Sequence, residues 1–186
     1  MTGRRYVLGI DPGLQGAMVG IDLETGQPFE ASWADGEDGY IDRHRKVLEA
    51  AYPAELARWA RTWGPPELVV VEAVQLRAHQ GLAPQARAAY GIGIVVGTVS
   101  ALGWPRESPT PTHWHRVLSM PASPQDPKAP VIAWCSRRFP QLDLFPGARR
   151  KRPHDGIADA AAIAWFGVLR ARELVAAGEE EIAPAV

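Results

Sequence analysis

Hydrophobic positions along the chain fall into blocks of changing period. Tyr6-Val7-Leu8-Gly9-Ile10 is a wholly apolar run, the pattern of a buried strand, and Asp11-Pro12-Gly13 closes it with turn chemistry. Ala17 to Leu23 reads as a second strand, Glu24-Thr25-Gly26 as the turn after it, and residues 27 to 33 as a third strand, an antiparallel meander. Residues 34 to 40, rich in Gly and Asp, read as loop. From Ile41 to Trp63 the apolar residues take helical spacing (Val47, Leu48, Ala51, Leu56, Trp59, Ala60, Trp63), interrupted at Pro53 and stopped by Gly64-Pro65-Pro66.

Leu68-Val69-Val70-Val71 is a short apolar run ending in Glu72, as expected of a central strand covered on both faces. Residues 73 to 83 read as an exposed loop. Pro84 to Leu102, rich in Ala, Gly and Val, predicts a helix packed closely on the sheet. Arg106 to Pro109 predicts a last strand, and 114–118 and 131–139 short helices. Residues 140 to 153 read as loop, and 155 to 174 as a long helix with Ile157, Ala161, Ala164, Trp165, Val168 and Leu169 on one face. Strands first, then helices and strands in alternation, predict a mixed sheet with helices on its faces. The expectation is one domain over residues 1 to 176 and a disordered tail over 177 to 186.

At 186 residues, 46% hydrophobic and 22% charged, the chain has the profile of a globular protein. One cysteine, Cys135, excludes an internal disulfide and a Cys-rich zinc site. The N-terminus lacks the apolar core of a secretory signal, and no apolar run reaches the roughly 18 residues of a membrane span. A cytoplasmic setting is therefore expected. Net charge is −1, so only its distribution speaks for an anionic partner. Arg149, Arg150, Lys151 and Arg152 form a basic run, with Arg137 and Arg138 shortly before it.

The acids carry the chemistry. Asp11 follows a buried strand, Glu72 ends the most hydrophobic one, and Asp159 lies on an Ala-rich helix with Asp155 one turn before it. Residues i and i+4 of a helix are neighbours, about 5–6 Å apart at Cβ, and like charges there are destabilising. Crowded carboxylates without a counter-ion cost more still. A divalent cation between them is the simplest explanation, and an all-oxygen donor set selects Mg²⁺ or Mn²⁺. Three of the acids also have a plainer use: Asp11 as a turn former, Glu72 in a salt bridge with an arginine, Asp155 as a helix N-cap; Asp159, one turn into the helix, has no capping role open to it.

Gly9-Ile10-Asp11-Pro12-Gly13-Leu14-Gln15-Gly16-Ala17 resembles the first motif of RuvC-type Holliday junction resolvases. Val69-Val70-Val71-Glu72 with Gln75 resembles their second acidic strand, and Gln85-Ala86-Arg87 the start of the helix after it. Thr110-Pro111-Thr112-His113-Trp114 is similar to a segment of phage members. His154-Asp155-Gly156-Ile157-Ala158-Asp159-Ala160 resembles the closing motif in its i, i+4 form. The resemblance covers roughly residues 6 to 172.

It implies an α/β RNase H-like fold, a five-stranded mixed sheet in order 3-2-1-4-5 flanked by helices. It also implies a homodimer, two Mg²⁺ ions with Mn²⁺ as substitute, no nucleotide cofactor, and catalytic, metal-holding roles for Asp11, Glu72, Asp155 and Asp159. The implied reaction is paired hydrolysis of four-way DNA junctions, leaving 5′-phosphate and 3′-hydroxyl ends. Arg149, Arg150, Lys151, Arg152, Arg87 and Lys128 are then the expected DNA contacts, His154 a possible accessory group, and the helix from Ala88 to Leu102 the expected dimer interface. Two departures stand out. Bacterial members space the last two acids i, i+3, where this chain has Gly156. They also carry an aromatic residue three positions after the second acid, where this chain has Gln75. Competing readings are a nuclease for flaps, forks or RNA–DNA hybrids, a DNA-binding structural protein without catalysis, and the sugar-kinase and actin group, which needs a larger, two-domain chain.

Overall fold

A computed structural model describes residues 4–13, 16–33, 51–73, 81–146 and 151–176, with the side chains of Pro84 and Arg87 outside that description. Five strands form one sheet in the order β3-β2-β1-β4-β5. The chain opens with β1 (Tyr6–Asp11), β2 (Ala17–Asp22) and β3 (Pro28–Trp33), an antiparallel meander. β4 (Leu68–Val71) then pairs parallel with β1, and β5 (Arg106–Glu107) parallel with β4. This is the sheet expected from the resemblance. β5 is shorter than the four residues predicted.

The helices divide between the two faces. α1 (Ala51–Trp63) and α2 (Leu82–Ala101) cover one, burying Tyr52, Leu56, Trp59, Val95 and Val99 against Tyr6, Leu8, Ile10, Val69 and Val71. α3 (Pro111–Val117), α4 (Ala129–Arg138) and α5 (Asp155–Ala176) cover the other. β1 and β4 are buried on both faces, which is why they read as unbroken apolar runs rather than alternating ones. Pro53 lies in the first described turn of α1. The predicted helical stretch 41–50, the tail 177–186 and most of the loop 73–83 lie outside the described residues.

α2 departs from expectation. Among its described residues only Gly91, Val95 and Val99 are buried, so the helix grips the sheet through its second half. Leu82 and Tyr90 are exposed. α5 behaves in the opposite way and seats its first four turns on the sheet almost without exposure. Its approach to β1 is closer than any side chain permits: a Cβ on Gly9 would lie 2.2 Å from the Ala160 carbonyl oxygen and 2.5 Å from the Ala164 nitrogen. Glycine at 9 and the alanines of α5 set this contact and thereby fix how far α5 stands from the end of β1. Among the described residues no helix is long and apolar enough to cross a membrane.

Candidate active site

The parallel pairing of β1 with β4 brings their C-terminal ends together, with Ile10 opposite Val71. Asp11 and Glu72 stand at or just past these ends, and the Glu72 amide donates to the Ile10 carbonyl at 3.2 Å. α5 begins at this edge of the sheet. The contact between Gly9 and Ala160 places Asp159 beside the same strand ends. Two acids from strand ends and one from a helix thus meet at one edge, and Asp155 lies one turn earlier on α5.

Burial makes these acids hard to ionise. Asp11 is 8% exposed and Asp159 5%. Desolvation raises the Asp11 carboxyl well above its ordinary range, and the charges of Asp159 and Glu72 raise it further. Glu72 is pushed up to about 7, first by burial and then by Asp159. Asp159 is raised chiefly by burial, with Lys128 the main opposing influence. Few interactions favour the charged forms. The Gly13 amide donates to Asp11 Oδ1 at 3.0 Å, so Asp11 serves both as a turn former and as a member of the cluster. Trp114 Nε1 donates to Glu72 Oε1 at 3.1 Å, in place of the arginine salt bridge weighed from sequence.

The cation of the cluster is Lys128, which immediately precedes α4. Its ammonium pairs with Asp159 and lies 3.5 Å from Asp155. Burial works against this charge, yet Asp159, Asp11 and Asp155 outweigh it and hold the lysine protonated. Sequence reasoning assigned Lys128 to the DNA backbone. Here its ammonium is engaged by the acids, although the side chain keeps 50% of its exposure. His115 stands near enough to help Asp159 hold its charge and was not picked out from sequence. Burial lowers its own proton affinity.

His154, the possible accessory group, is buried. Its Nδ1 accepts the Ile157 amide at 3.3 Å, so His154 takes the N-cap role considered for Asp155. Asp155 is the first residue of α5 and is left with its carboxylate free of capping duty. Lys151 and Arg152 are exposed just before this helix start. Arg149, Arg150 and Gln75 lie outside the described residues. Arg87 lies in α2, on the far face of the sheet, with its side chain outside the description.

The donor set fits a hard divalent ion. It consists only of carboxylate oxygens; Asp11 and Asp159 are buried, Glu72 is partly so, and the ionisation of all three is unfavourable without added positive charge. Among the described residues no three His, Cys, Asp or Glu side chains close on a common point; the acids gather instead around Lys128.

No family model matches this sequence, and no curated protein matches it. Solved structures do. "T. thermophilus RuvC in complex with Holliday junction substrate" superposes with a TM-score of 0.60 at 19% identity, covering 91% of this chain and 96% of that one. "Thermus thermophilus RuvC structure" gives a TM-score of 0.61 at 20% identity, covering 90% and 96%. The chain therefore has the RuvC fold, an RNase H-like α/β architecture.

Proposed function

We propose that this protein is a metal-dependent endonuclease for branched DNA, with the four-way junction as its preferred substrate. The observation that supports this most is the meeting of Asp11, Glu72 and Asp159 at one sheet edge, each with its proton affinity raised by burial. Burying acids together is costly, and it is explained if the site takes up positive charge in function. The fold shared with RuvC, which is solved with a Holliday junction substrate, favours DNA as the partner.

Asp11, Glu72, Asp155 and Asp159 would hold two Mg²⁺ ions, with Mn²⁺ as substitute. Such ions supply an activated water and stabilise the leaving oxygen in phosphodiester hydrolysis. The rest of the work falls to the chain. The Trp114 indole fixes the Glu72 carboxylate through its N–H. The Gly13 amide orients Asp11. His154 caps α5 and so orients Asp155 and Asp159. Lys128 neutralises the acids before they are loaded, and its half-exposed stem lets the ammonium turn outward to a phosphate afterwards. Lys151 and Arg152, exposed just before α5, would bind backbone phosphates beside the acids, and Arg149 and Arg150, their neighbours in the sequence, are proposed for the same work, positioning DNA without reading sequence. The products are 5′-phosphate and 3′-hydroxyl ends.

The partner of each subunit is a second copy, since resolving a junction takes two symmetric cuts. α2 is the element for that contact. It carries one charged residue in its 20, exposes Leu82 and Tyr90, and has open space above Gly93 and Gly97. Such an apolar face is suited to another protein surface.

A substrate panel tests the proposal. A labelled four-way junction, a flap, a fork and a matched duplex are incubated with the protein in Mg²⁺. Paired nicks on the junction are expected. Equal cutting of flap or fork would keep the nuclease and discard the junction preference, and binding to the junction without cutting in either metal would favour a structural DNA-binding role.

A further inference from the structure

We propose that Arg138, Trp165 and Arg172 form a second contact for DNA backbone phosphate, at the end of α4 and α5 remote from the carboxylates. The inference rests on the reading of this protein as one that acts on DNA.

Trp165, on α5, is half-buried and packs against the edge of the core. The Arg138 guanidinium lies 3.8 Å from its ring centroid and that of Arg172 5.6 Å. Arg138 also covers Phe139, which packs edge-on against both Trp134 and Trp165. The turn after β2 backs onto the same indole. Gly26 has φ +66°, and a Cβ there would lie 3.2 Å from the Trp165 ring and 3.6 Å from Arg172 Nη2. Arg172 donates from Nη2 to the Leu23 carbonyl at 3.3 Å. Both arginines are thus held in place by packing.

What they lack is an acid. Arg4, Arg5, Arg58 and Arg170 each pair with a carboxylate. Among the described residues Arg138 and Arg172 form no ion pair. They share one indole instead, and after burial it is the charge of Arg172 that most weakens the hold of Arg138 on its proton. Two like charges gathered on one ring are unfavourable unless an anion joins them. Stacking on an indole fixes a guanidinium without consuming its N–H donors, and the planar fork of donors suits phosphate. Arg137, exposed on the same turn, adds a third cation.

Position favours a nucleic acid over a small anion. At about 1.5 Å per helical residue, Arg138 stands about 15 Å along α4 from its start beside Lys128, and Arg172 about 20 Å along α5 from Asp159. Duplex DNA carries a phosphate charge about every 1.7 Å of its axis. An arm entering at the carboxylates therefore reaches this pair within about five or six base pairs. One run of phosphates then spans both ends of the α4 and α5 face.

The test is DNA binding measured by fluorescence anisotropy across a salt series, in EDTA so that nothing is cut. Labelled junction and duplex are titrated with wild-type protein, Arg172→Gln, Arg138→Gln/Arg172→Gln, Arg138→Lys/Arg172→Lys and Arg152→Gln. Each lost phosphate contact lowers the slope of log K against log salt by about 0.9. The expected loss is about one for Arg172→Gln and about two for the double glutamine variant, with the double lysine variant close to wild type. Arg172 is exposed, so its single variant carries the test even if the double variant fails to fold. A role confined to packing would move the melting temperature and leave the slope alone. Unchanged slopes in both glutamine variants, with Arg152→Gln lowering its own, would overturn the second contact and leave the DNA reading standing. No binding of either DNA by wild-type protein would overturn both.

Discussion

Replacing Glu72 by glutamine should stabilise the metal-free protein at neutral pH, an unusual outcome for a change beside a fold's central strands. The carboxyl is raised from 4.5 to about 7, chiefly by burial and then by Asp159. At about 1.36 kcal/mol per tenfold change in proton affinity, ionising Glu72 in the folded chain costs about 3 kcal/mol. Below about pH 4.5 the group is protonated whether the chain is folded or not, and the substitution changes little. Between there and pH 7 the unfolded chain loses its proton first, so the folded state binds more protons and wild-type stability falls as pH rises. Above pH 7 the full cost is present. Glutamine keeps a carbonyl to accept from Trp114 and removes the charge. In EDTA at pH 8 the variant should therefore exceed wild type by up to about 3 kcal/mol, roughly 5–10 °C in melting temperature for a chain of this size. At pH 4 the two should coincide. Added Mg²⁺ should narrow the gap by stabilising wild type more. Thermal and urea unfolding across pH would measure this. Equal stabilities at pH 8 in EDTA, or a less stable variant, would refute the claim that Glu72 is a buried acid held at a cost.

Lys128→Met should lower metal-free stability by about 1–2 kcal/mol, less than for a fully buried pair because the lysine is half exposed; it should also tighten Mn²⁺ binding by calorimetry, since no ammonium has to leave the acids. Gly9→Ala forces a Cβ to within 2.2 Å of the α5 backbone and should cost about 3 kcal/mol or more, read by urea unfolding. His154→Ala removes the acceptor for the Ile157 amide and should cost about 1–2 kcal/mol in thermal unfolding, with His154→Asn recovering part.

Much of this was legible along the chain because burial on two faces leaves a strong mark. β1 and β4 are apolar throughout, and their acids fall where the apolar run stops. The starts of β2 and β4 were read to the residue, and so was the start of α5. Less legible was whatever depends on packing between distant elements. Lys128 is 31 residues from Asp159, and only the packing of α4 on α5 makes it their counter-ion. A lone lysine before a helix carries no such sign. Trp114 is a core residue, and its N–H reaches Glu72 only through the seating of α3. The cap of α5 was sought at Asp155 because carboxylates cap often; the buried histidine before it does the task instead, freeing the acid. α2 is largely apolar, with small and aliphatic residues on every side, so periodicity could not show that its first half stands clear of the sheet.

The measurement that bears most directly on the central claim is single-turnover cleavage of a saturating labelled junction in Mg²⁺ by wild type, Asp11→Asn and Asp159→Asn. Junction binding is followed in parallel. The account predicts paired nicks by wild type and loss of cleavage in each variant by a factor of about 10³ or more, with binding intact or tighter. Cleavage by either variant at close to the wild-type rate would contradict the assignment of the buried acids as the reaction's centre.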